Sequence, residues 1–401
     1  MKLLNNVAWI LILVSCSSPN TDTSYITGDV RKEMSNLTTL KLTEEIESVT
    51  YVPLKITPDD ASLIDGVAEY AVTDKYIYIL PVQEQRIVLF DRQGNFIKTL
   101  IRSGQGPGEI NGGVSGIQAD EKNNRLYLFS DRIAVYTLEG AFIQYISRDY
   151  HAILERQLDE DRFGAVSFPY QPFVEGSFGL GVFTENGDTV ALKNDFYSPL
   201  VPREKSGFTV AVAATYSQQE QSILFKTGSN DTVFRITKDE ILPACILALK
   251  NSDNEIIRSL DATDFSTLMN PFGEDRDIFI SDLFETAARY YFRFRYNQGH
   301  GVASVDKRTG ETLVEQCVQP EENRKMSDAN LLFGMVGTRS YRNFPIWGRM
   351  EGDNLVQVVT PFEISLYKDI RSVSIPDDLS AVGDDDNPVF IFYKIKASSR
   401  E

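Results

Sequence analysis

Two segments of the chain share one pattern of hydrophobic and polar positions. Each has two apolar runs separated by a turn, then a glycine turn and a third apolar run. The first copy comprises Tyr76–Leu80, Arg86–Asp91, Gly94 and Phe96-Ile97, and the second comprises Arg125–Phe129, Arg132–Tyr136, Gly140 and Phe142-Ile143. Short apolar runs rich in β-branched and aromatic residues predict strands, so each copy indicates a small antiparallel sheet.

The copies are offset by about 46 to 49 residues, a period typical of four-stranded propeller blades. One blade cannot bury both of its faces, so the repeat implies a ring of such sheets. Two apolar stretches with helical spacing, Asn254–Met269 and Glu322–Met335, are interpreted as short helical insertions in loops. Dividing roughly 350 ordered residues by the period then predicts an all-β, six-bladed β-propeller of antiparallel blades, with seven blades as the alternative.

A closed ring makes a prediction about the two ends of the domain. The strand near Tyr51 and the strand Val389–Tyr393 should lie in the same blade or in adjacent blades. Closure removes exposed sheet edges, which would otherwise promote aggregation.

The N-terminus carries an export signal. Lys2 is followed by the apolar run Val7–Val14, which is too short to span a bilayer, and the run leads directly into Cys16. Leu13-Val14-Ser15-Cys16 is similar to the bacterial lipobox, in which the cysteine is lipidated. The predicted organisation is a signal peptide over 1–16 ending at a lipidated Cys16, a polar tether over 17–36 and one propeller over 37–396.

The net charge of the chain limits the classes of partner that it could bind. The formal net charge is −17, which disfavours binding to a phosphate backbone, so no nucleic-acid partner is expected. The acidity is interpreted as a solubility feature, and an acidic groove for a cation or a basic partner is the alternative.

The cysteines Cys245 and Cys317 are interpreted as buried structural thiols, and a disulfide between them is the alternative.

The most distinctive loop runs from Arg102 to Glu109 and contains three glycines. Glycine permits tight turns with positive φ, and the spacing matches neither a P-loop nor a dinucleotide fingerprint. The loop is interpreted as a connection between blades, held by its glycine turns and an Arg–Glu contact. A ligand-facing role for Arg102, Gln105 and Glu109 is the second interpretation, and in both the loop should lie near a blade end.

The chain offers no clear catalytic or metal-binding pattern. Its two histidines, His151 and His300, lie far apart, and His300 is expected in a turn between strands. Runs of carboxylates such as Asp159–Asp161 are interpreted as solvated loops. No catalytic residue, metal site or cofactor is therefore predicted.

Several segments resemble the six-bladed β-propeller lipoproteins of Bacteroidetes, which are related to NHL-repeat propellers. The resemblance rests on the lipobox, Tyr51-Val52-Pro53-Leu54, the Gly94 turn, Arg102–Glu109, Asn230–Ile236, Phe344-Pro345-Ile346-Trp347 and Asn387–Lys394. The segment before Phe344, Gly337–Asn343, departs from the family, which more often has an acidic residue with a glycine pair there. The resemblance implies a lipid anchor in the cell envelope, at the outer membrane on either its periplasmic or its surface face, and no common activity.

Together these observations predict a membrane-anchored extracytoplasmic propeller that binds a glycan, a peptide or an envelope protein. The aromatic content, 11% of residues, is interpreted as a source of stacking surface for a glycan. The alternative is a propeller enzyme, a glycan hydrolase or lyase. It would need two or more ionisable groups, such as carboxylates, within about 5–10 Å of each other in the central channel.

Overall fold

The structure, a computed structural model, describes most of the chain from Tyr25 to Lys396. The described residues are 25–38, 40, 45–110, 112–150, 152–167, 179–193, 212–218, 220–227, 231–249, 278–296, 299–317, 349–368 and 376–396. The signal peptide, Cys16, His151 and the two predicted helical insertions lie outside these residues.

Six sheets form the six blades, which confirms the predicted fold class. The strands of blades 1 to 3 are β3 (Val67–Val72), β4 (Tyr76–Pro81), β5 (Ile87–Asp91), β6 (Phe96–Ile101), β7 (Gly116–Asp120), β8 (Arg125–Phe129), β9 (Ile133–Tyr136), β10 (Phe142–Ile146), β11 (Leu154–Asp159), β12 (Arg162–Val166), β13 (Leu180–Thr184) and β14 (Thr189–Lys193). Each of these blades is an antiparallel sheet whose strands lie in chain order.

Blades 4 to 6 follow the same plan, with segments from the N-terminus added. Their strands are β15 (Val212–Ser217), β16 (Ser222–Thr227), β17 (Thr232–Ile236), β18 (Ile241–Leu247), β19 (Phe279–Glu285), β20 (Arg289–Tyr296), β21 (Gly299–Asp306), β22 (Thr312–Cys317), β23 (Arg349–Glu351), β24 (Asn354–Val359) and β25 (Val389–Ile395). The described helices are α1 (Val30–Glu33), α2 (Pro361–Lys368) and α3 (Asp377–Ser380). His300, expected in a turn, instead pairs with Arg295 inside the sheet of blade 5.

The ring closes as predicted. Strand β2 (Ile46–Pro53), from the start of the domain, is the outermost strand of blade 6 and pairs antiparallel with β25. Tyr51 lies opposite Ile391 in this register. The first and last parts of the domain therefore share one blade, and β25 has no free edge.

A further N-terminal strand was not anticipated. β1 (Ile26–Gly28) pairs in parallel with β18 and makes blade 4 five-stranded. Val30, just beyond it, is fully buried. Residues 26–34 thus pack against the propeller, although the sequence pattern places them in the polar tether.

The hydrophobic core lies between the blades. Tyr78 and Leu89 of blade 1 pack with Ile117 and Tyr136 of blade 2, and the other clusters likewise join neighbouring blades. Large aromatic rings fill these layers, so each blade depends on its neighbours for burial.

Antiparallel order gives the ring two distinct faces. We call one the turn face: it carries the turns 73–75, 92–95, 121–124, 137–141, 160–161, 185–188, 237–240 and 307–311, which join first to second and third to fourth strands. We call the other the loop face, because it carries the connections between blades.

Candidate functional site

The glycine-rich loop lies on the loop face, between the last strand of blade 1 and the first strand of blade 2. Its position near a blade end agrees with the sequence analysis, and Arg102, Gln105 and Glu109 are all exposed. The carboxylate of Glu109 accepts a hydrogen bond from the backbone N–H of Gly106 at 2.8 Å. A Cβ at Gly104 would lie 1.9 Å from Glu109 Oε2, so this close approach requires glycine. The hydrogen bond from the backbone to the Glu109 carboxylate thus holds the loop closed.

Four charged side chains from three inner strands meet near the ring axis. Arg349 is central: its Nη1 lies 3.0 Å from Glu69 Oε2 and its Nε lies 2.6 Å from Glu351 Oε1. Arg156 approaches the same Glu69 carboxylate at 3.7 Å. The guanidinium of Arg349 also lies over the ring of Tyr70, 4.2 Å from its centroid. We call Glu69, Arg156, Arg349 and Glu351 the axial cluster.

The axial cluster balances two positive charges with two negative ones. Burial opposes the charge on Arg349, but Glu351 and Glu69 outweigh it and raise the pKa of Arg349 above its usual range. The carboxylates that bind this guanidinium therefore act as its counter-ions. Both carboxylates contact the same guanidinium, and both are engaged in ion pairs.

A chain of buried hydrogen bonds leads outward from the axis. Gln118 Nε2 donates to the hydroxyl of Tyr216 at 3.1 Å and to the carbonyl of Gln157 at 2.9 Å. The side chain of Gln157 in turn donates to the hydroxyl of Tyr127 at 2.8 Å. These four side chains are each less than 9% exposed, so the polar route is enclosed by the blades.

The route ends at a pocket of about 320 Å³ between blades 2 and 3. Its lining combines a cation, two carboxylates, three amides and an apolar floor. The lining residues are Asn123, Arg125, Tyr127, Val135, Gln144, Ile146, Gln157, Glu160, Phe163 and Glu185. Turns of the turn face supply the rim, so the pocket opens on that side.

The pocket is held by contacts across the two blades. Gln144 Nε2 of blade 2 donates to Glu185 Oε1 of blade 3 at 2.7 Å. On the floor, the rings of Tyr127 and Phe163 meet edge to face with their centroids 6.1 Å apart. Arg125 Nη1 donates to the carbonyls of Asn123 at 3.2 Å and Asn124 at 3.1 Å, which fixes the guanidinium at the rim.

Burial, with a smaller contribution from Asp120, raises the pKa of Tyr127 to about 12. The phenol therefore stays neutral at physiological pH and offers a hydrogen bond rather than a charge. The charged groups of the pocket are Arg125, Glu160 and Glu185, which together carry one net negative charge.

Local sequence patterns gave no indication of this pocket, because its residues come from turns and strands of two blades. Glu160 belongs to a carboxylate run interpreted as a solvated loop, and it is indeed exposed, but it also forms part of the rim.

In the part of the chain that the structure describes, few aromatic rings are open to a ligand. Among the large hydrophobic side chains that are exposed in the described residues, Tyr25 and Phe362 are the aromatic ones. Tyr127 is 6% exposed and Phe163 is 2% exposed, so neither presents an open ring face in the pocket. The buried aromatic rings among the described residues instead pack between blades.

Three further features bear on chemistry. Cys245 is a buried free thiol whose pKa is raised by burial. In the described part of the chain, no group of His, Cys, Asp and Glu side chains is arranged to hold a metal ion. Within the same residues, no helix is long and apolar enough to cross a bilayer.

Comparisons with known proteins agree with the fold. The family described as "Domain of unknown function (DUF4934)" matches residues 25–394. A crystal structure of a protein described as exported, from Bacteroides fragilis, superposes with a TM-score of 0.63 at 16% identity, covering 90% of this chain and 98% of that one. A DUF4221 member from Bacteroides vulgatus gives 0.49 at 10% identity, covering 88% and 98%. No curated protein matches the sequence.

Proposed function

This chain belongs to the DUF4934 family, and we propose that it is a lipid-anchored extracytoplasmic propeller that binds a polar ligand in the pocket between blades 2 and 3. The observation that carries the proposal is the pocket itself. Its polar groups converge on a cavity of about 320 Å³, which falls in the range of small-molecule sites.

The charge of the site favours a ligand with an ammonium group. Glu160 and Glu185 outnumber Arg125 among the charged residues of the lining. Such a field raises the local concentration of cations. A peptide with a free amine and an amino sugar both carry this chemistry, and both can use the amides of the lining for orientation.

Isothermal titration of the propeller with a lysine-containing tripeptide and with glucosamine tests this proposal. At least one of them should bind, and its N-acetylated counterparts should bind at least tenfold more weakly. Glu185→Gln should weaken binding by about 10- to 100-fold, because a hydrogen bond to a charged group contributes about 1.5–3 kcal/mol. The glutamine side chain can still accept the hydrogen bond from Gln144.

Asp188→Asn is the matched control, since Asp188 is exposed on the same turn but is not part of the pocket lining. Equal binding of free and acetylated compounds, or unchanged binding in Glu185→Gln, would contradict the proposal.

The alternative is an enzyme that acts on glycans with carboxylates near the axis. Glu69 and Glu351 both contact Arg349, so the required proximity of ionisable groups is met. Their use as counter-ions favours binding over catalysis. Product formation from glycan mixtures that is lost in Glu69→Gln would favour the enzyme instead.

The lipid anchor is proposed from the lipobox and makes a separate prediction. Cys16→Ser should abolish acylation and leave the chain either uncleaved or released from the membrane fraction. Metabolic labelling with a fatty acid and fractionation would measure this. The thermal midpoint of the propeller should not change, because the described packing begins at Ile26. Membrane retention of an unacylated, normally cleaved Cys16→Ser protein would overturn the anchor.

A further inference from the structure

The pocket between blades 2 and 3 is lined by an arginine whose described bonds all go to backbone carbonyls. Arg125 and Arg162 begin the second strands of neighbouring blades, β8 and β12, and Arg162 forms an ion pair with Asp161. Arg125 forms no ion pair within the part of the chain that the structure describes. Its Nη1 donates to the carbonyls of Asn123 and Asn124, and its Nε and Nη2 donate to none of the described residues. This guanidinium can therefore bind an anionic group of a ligand.

The floor of the pocket offers one hydrogen-bond donor and one acceptor. Gln157 Nε2 donates to the hydroxyl of Tyr127 at 2.8 Å, and both residues line the pocket. Among the described residues, neither the phenol proton nor Gln157 Oε1 takes part in a further hydrogen bond. With the amide reversed, the phenol would donate to the amide oxygen, and the phenol oxygen and the amide N–H would be left instead. In both arrangements a donor lies beside an acceptor, which complements the C=O and N–H of a peptide group.

A carboxylate and the cation lie near this donor–acceptor pair. Glu185 Oε1 accepts the bond from Gln144 at 2.7 Å, and Glu185 Oε2 accepts none from the described residues. Burial is the main cause of the raised pKa of Tyr127, and of the charges in the pocket Arg125 opposes the shift while Glu185 adds to it. Both charges therefore act on the phenol, and a ligand that bonds the floor would lie in the field of each.

We propose that the ligand is a short peptide with both of its ends free, an inference that rests on the ammonium-binding pocket proposed above. Its ammonium group pairs with Glu185 and its carboxylate pairs with Arg125, while a peptide group bonds the floor. Glucosamine supplies the ammonium group alone, and a free amino acid lacks the peptide group. The cavity of about 320 Å³ lies at the lower end of the volumes of small-molecule sites, which suits a di- or tripeptide.

Isothermal titration of the propeller with four compounds tests the inference: the tripeptide alanyl-lysyl-alanine, its C-terminal amide, free lysine and glucosamine. The free acid should bind about 10- to 100-fold more tightly than the amide, because amidation removes the charge that Arg125 binds. Free lysine and glucosamine should each bind about tenfold or more weakly than the free acid, since each lacks at least one of the three groups.

Two variants assign the preference for the free acid to Arg125. In Arg125→Gln the free acid and the amide should bind about equally. Arg162→Gln is the matched control and should keep the full preference, because Arg162 holds the same strand position in blade 3 and is not part of the pocket lining. The ratio of the two affinities is measured within each variant, so a general weakening through altered packing would not imitate the result.

The outcomes separate this inference from the proposed function. If neither the tripeptide nor glucosamine binds, the ammonium-binding pocket is wrong and the peptide assignment falls with it. If glucosamine or the tripeptide amide binds as tightly as the free acid, the pocket stands as an ammonium site and the peptide assignment alone is wrong. An undiminished preference for the free acid in Arg125→Gln would contradict the role of Arg125.

Discussion

Replacing Glu285 by Gln is expected to destabilise the protein by about 3–5 kcal/mol, since this change leaves two partly buried cations without their buried counter-ion. Glu285 receives Arg235 in a bidentate ion pair, at 2.7 and 2.6 Å, and Lys307 at 2.6 Å. Its side chain is 2% exposed. Arg235 belongs to blade 4 and the other two residues to blade 5, so the ion pairs join two blades.

Urea unfolding would measure this loss, and Glu47→Gln provides the control. Glu47 pairs with Lys394 at 3.1 Å on the surface, where both side chains are about half exposed. Removing an exposed pair should cost less than about 1 kcal/mol. Similar losses in the free energy of unfolding of Glu285→Gln and Glu47→Gln would show that the burial of Glu285 does not increase the cost of removing its charge.

The pKa of Glu285 predicts how the stability of the protein depends on pH. Burial alone would raise the pKa of Glu285, but the hydrogen bonds and charges of Arg235 and Lys307 outweigh it, and the net pKa is lowered. A lowered pKa in the folded state adds stability above the unfolded pKa, and this contribution is lost as the pH falls through the folded value. The difference between wild type and Glu285→Gln should therefore be constant from pH 7 to about 5 and shrink below that.

Replacing Gly94 by Ala is expected to cost about 2–4 kcal/mol, from backbone strain and a steric clash together. Gly94 has φ +76°, and a Cβ there would lie 2.1 Å from the carbonyl oxygen of Pro53, the last residue of β2. The glycine carbonyl also accepts a hydrogen bond from Lys55 N–H at 2.9 Å. The alanine would push apart the blade that closes the ring and the blade that follows it.

Gly187→Ala separates the two contributions. Gly187 occupies the same kind of turn in blade 3 with φ +88°, but no atom lies within 4 Å of the position of its Cβ. Gly187→Ala should lose stability only through backbone strain, about 1 kcal/mol. Thermal unfolding of both variants would check this, and an equal loss in each would mean that the contact with Pro53 has no energetic role.

The strands were predictable because they depend on local patterns, and the closure of the ring was predictable because those patterns repeat with the period of propeller blades. The run beginning at Tyr76 became β4 and the run Arg125–Phe129 became β8 at the expected positions. The glycine turns were also predictable, and Gly94 and Gly140 both have positive φ in the structure. Alternation of apolar residues and turn chemistry act within a few residues, so they are visible in one sequence.

The axial cluster and the pocket could not be predicted in the same way. Glu69 and Arg349 lie at opposite ends of the domain sequence and meet only because the ring closes. Strand β1 was missed for a different reason: Ile26–Gly28 is too short for a periodic pattern, and its neighbours are polar. Each depends on contacts between residues far apart in the chain.

The pairing of the N-terminal strands constrains the order in which the protein can fold. Ile26 pairs with Cys245 and Tyr51 pairs with Ile391, so the first segments to be synthesised are among the last to find partners. Contacts of such long sequence separation form slowly, because the loop-closure entropy must be overcome first. Until then blade 6 has an open edge, and the incompletely folded chain would depend on protection from aggregation.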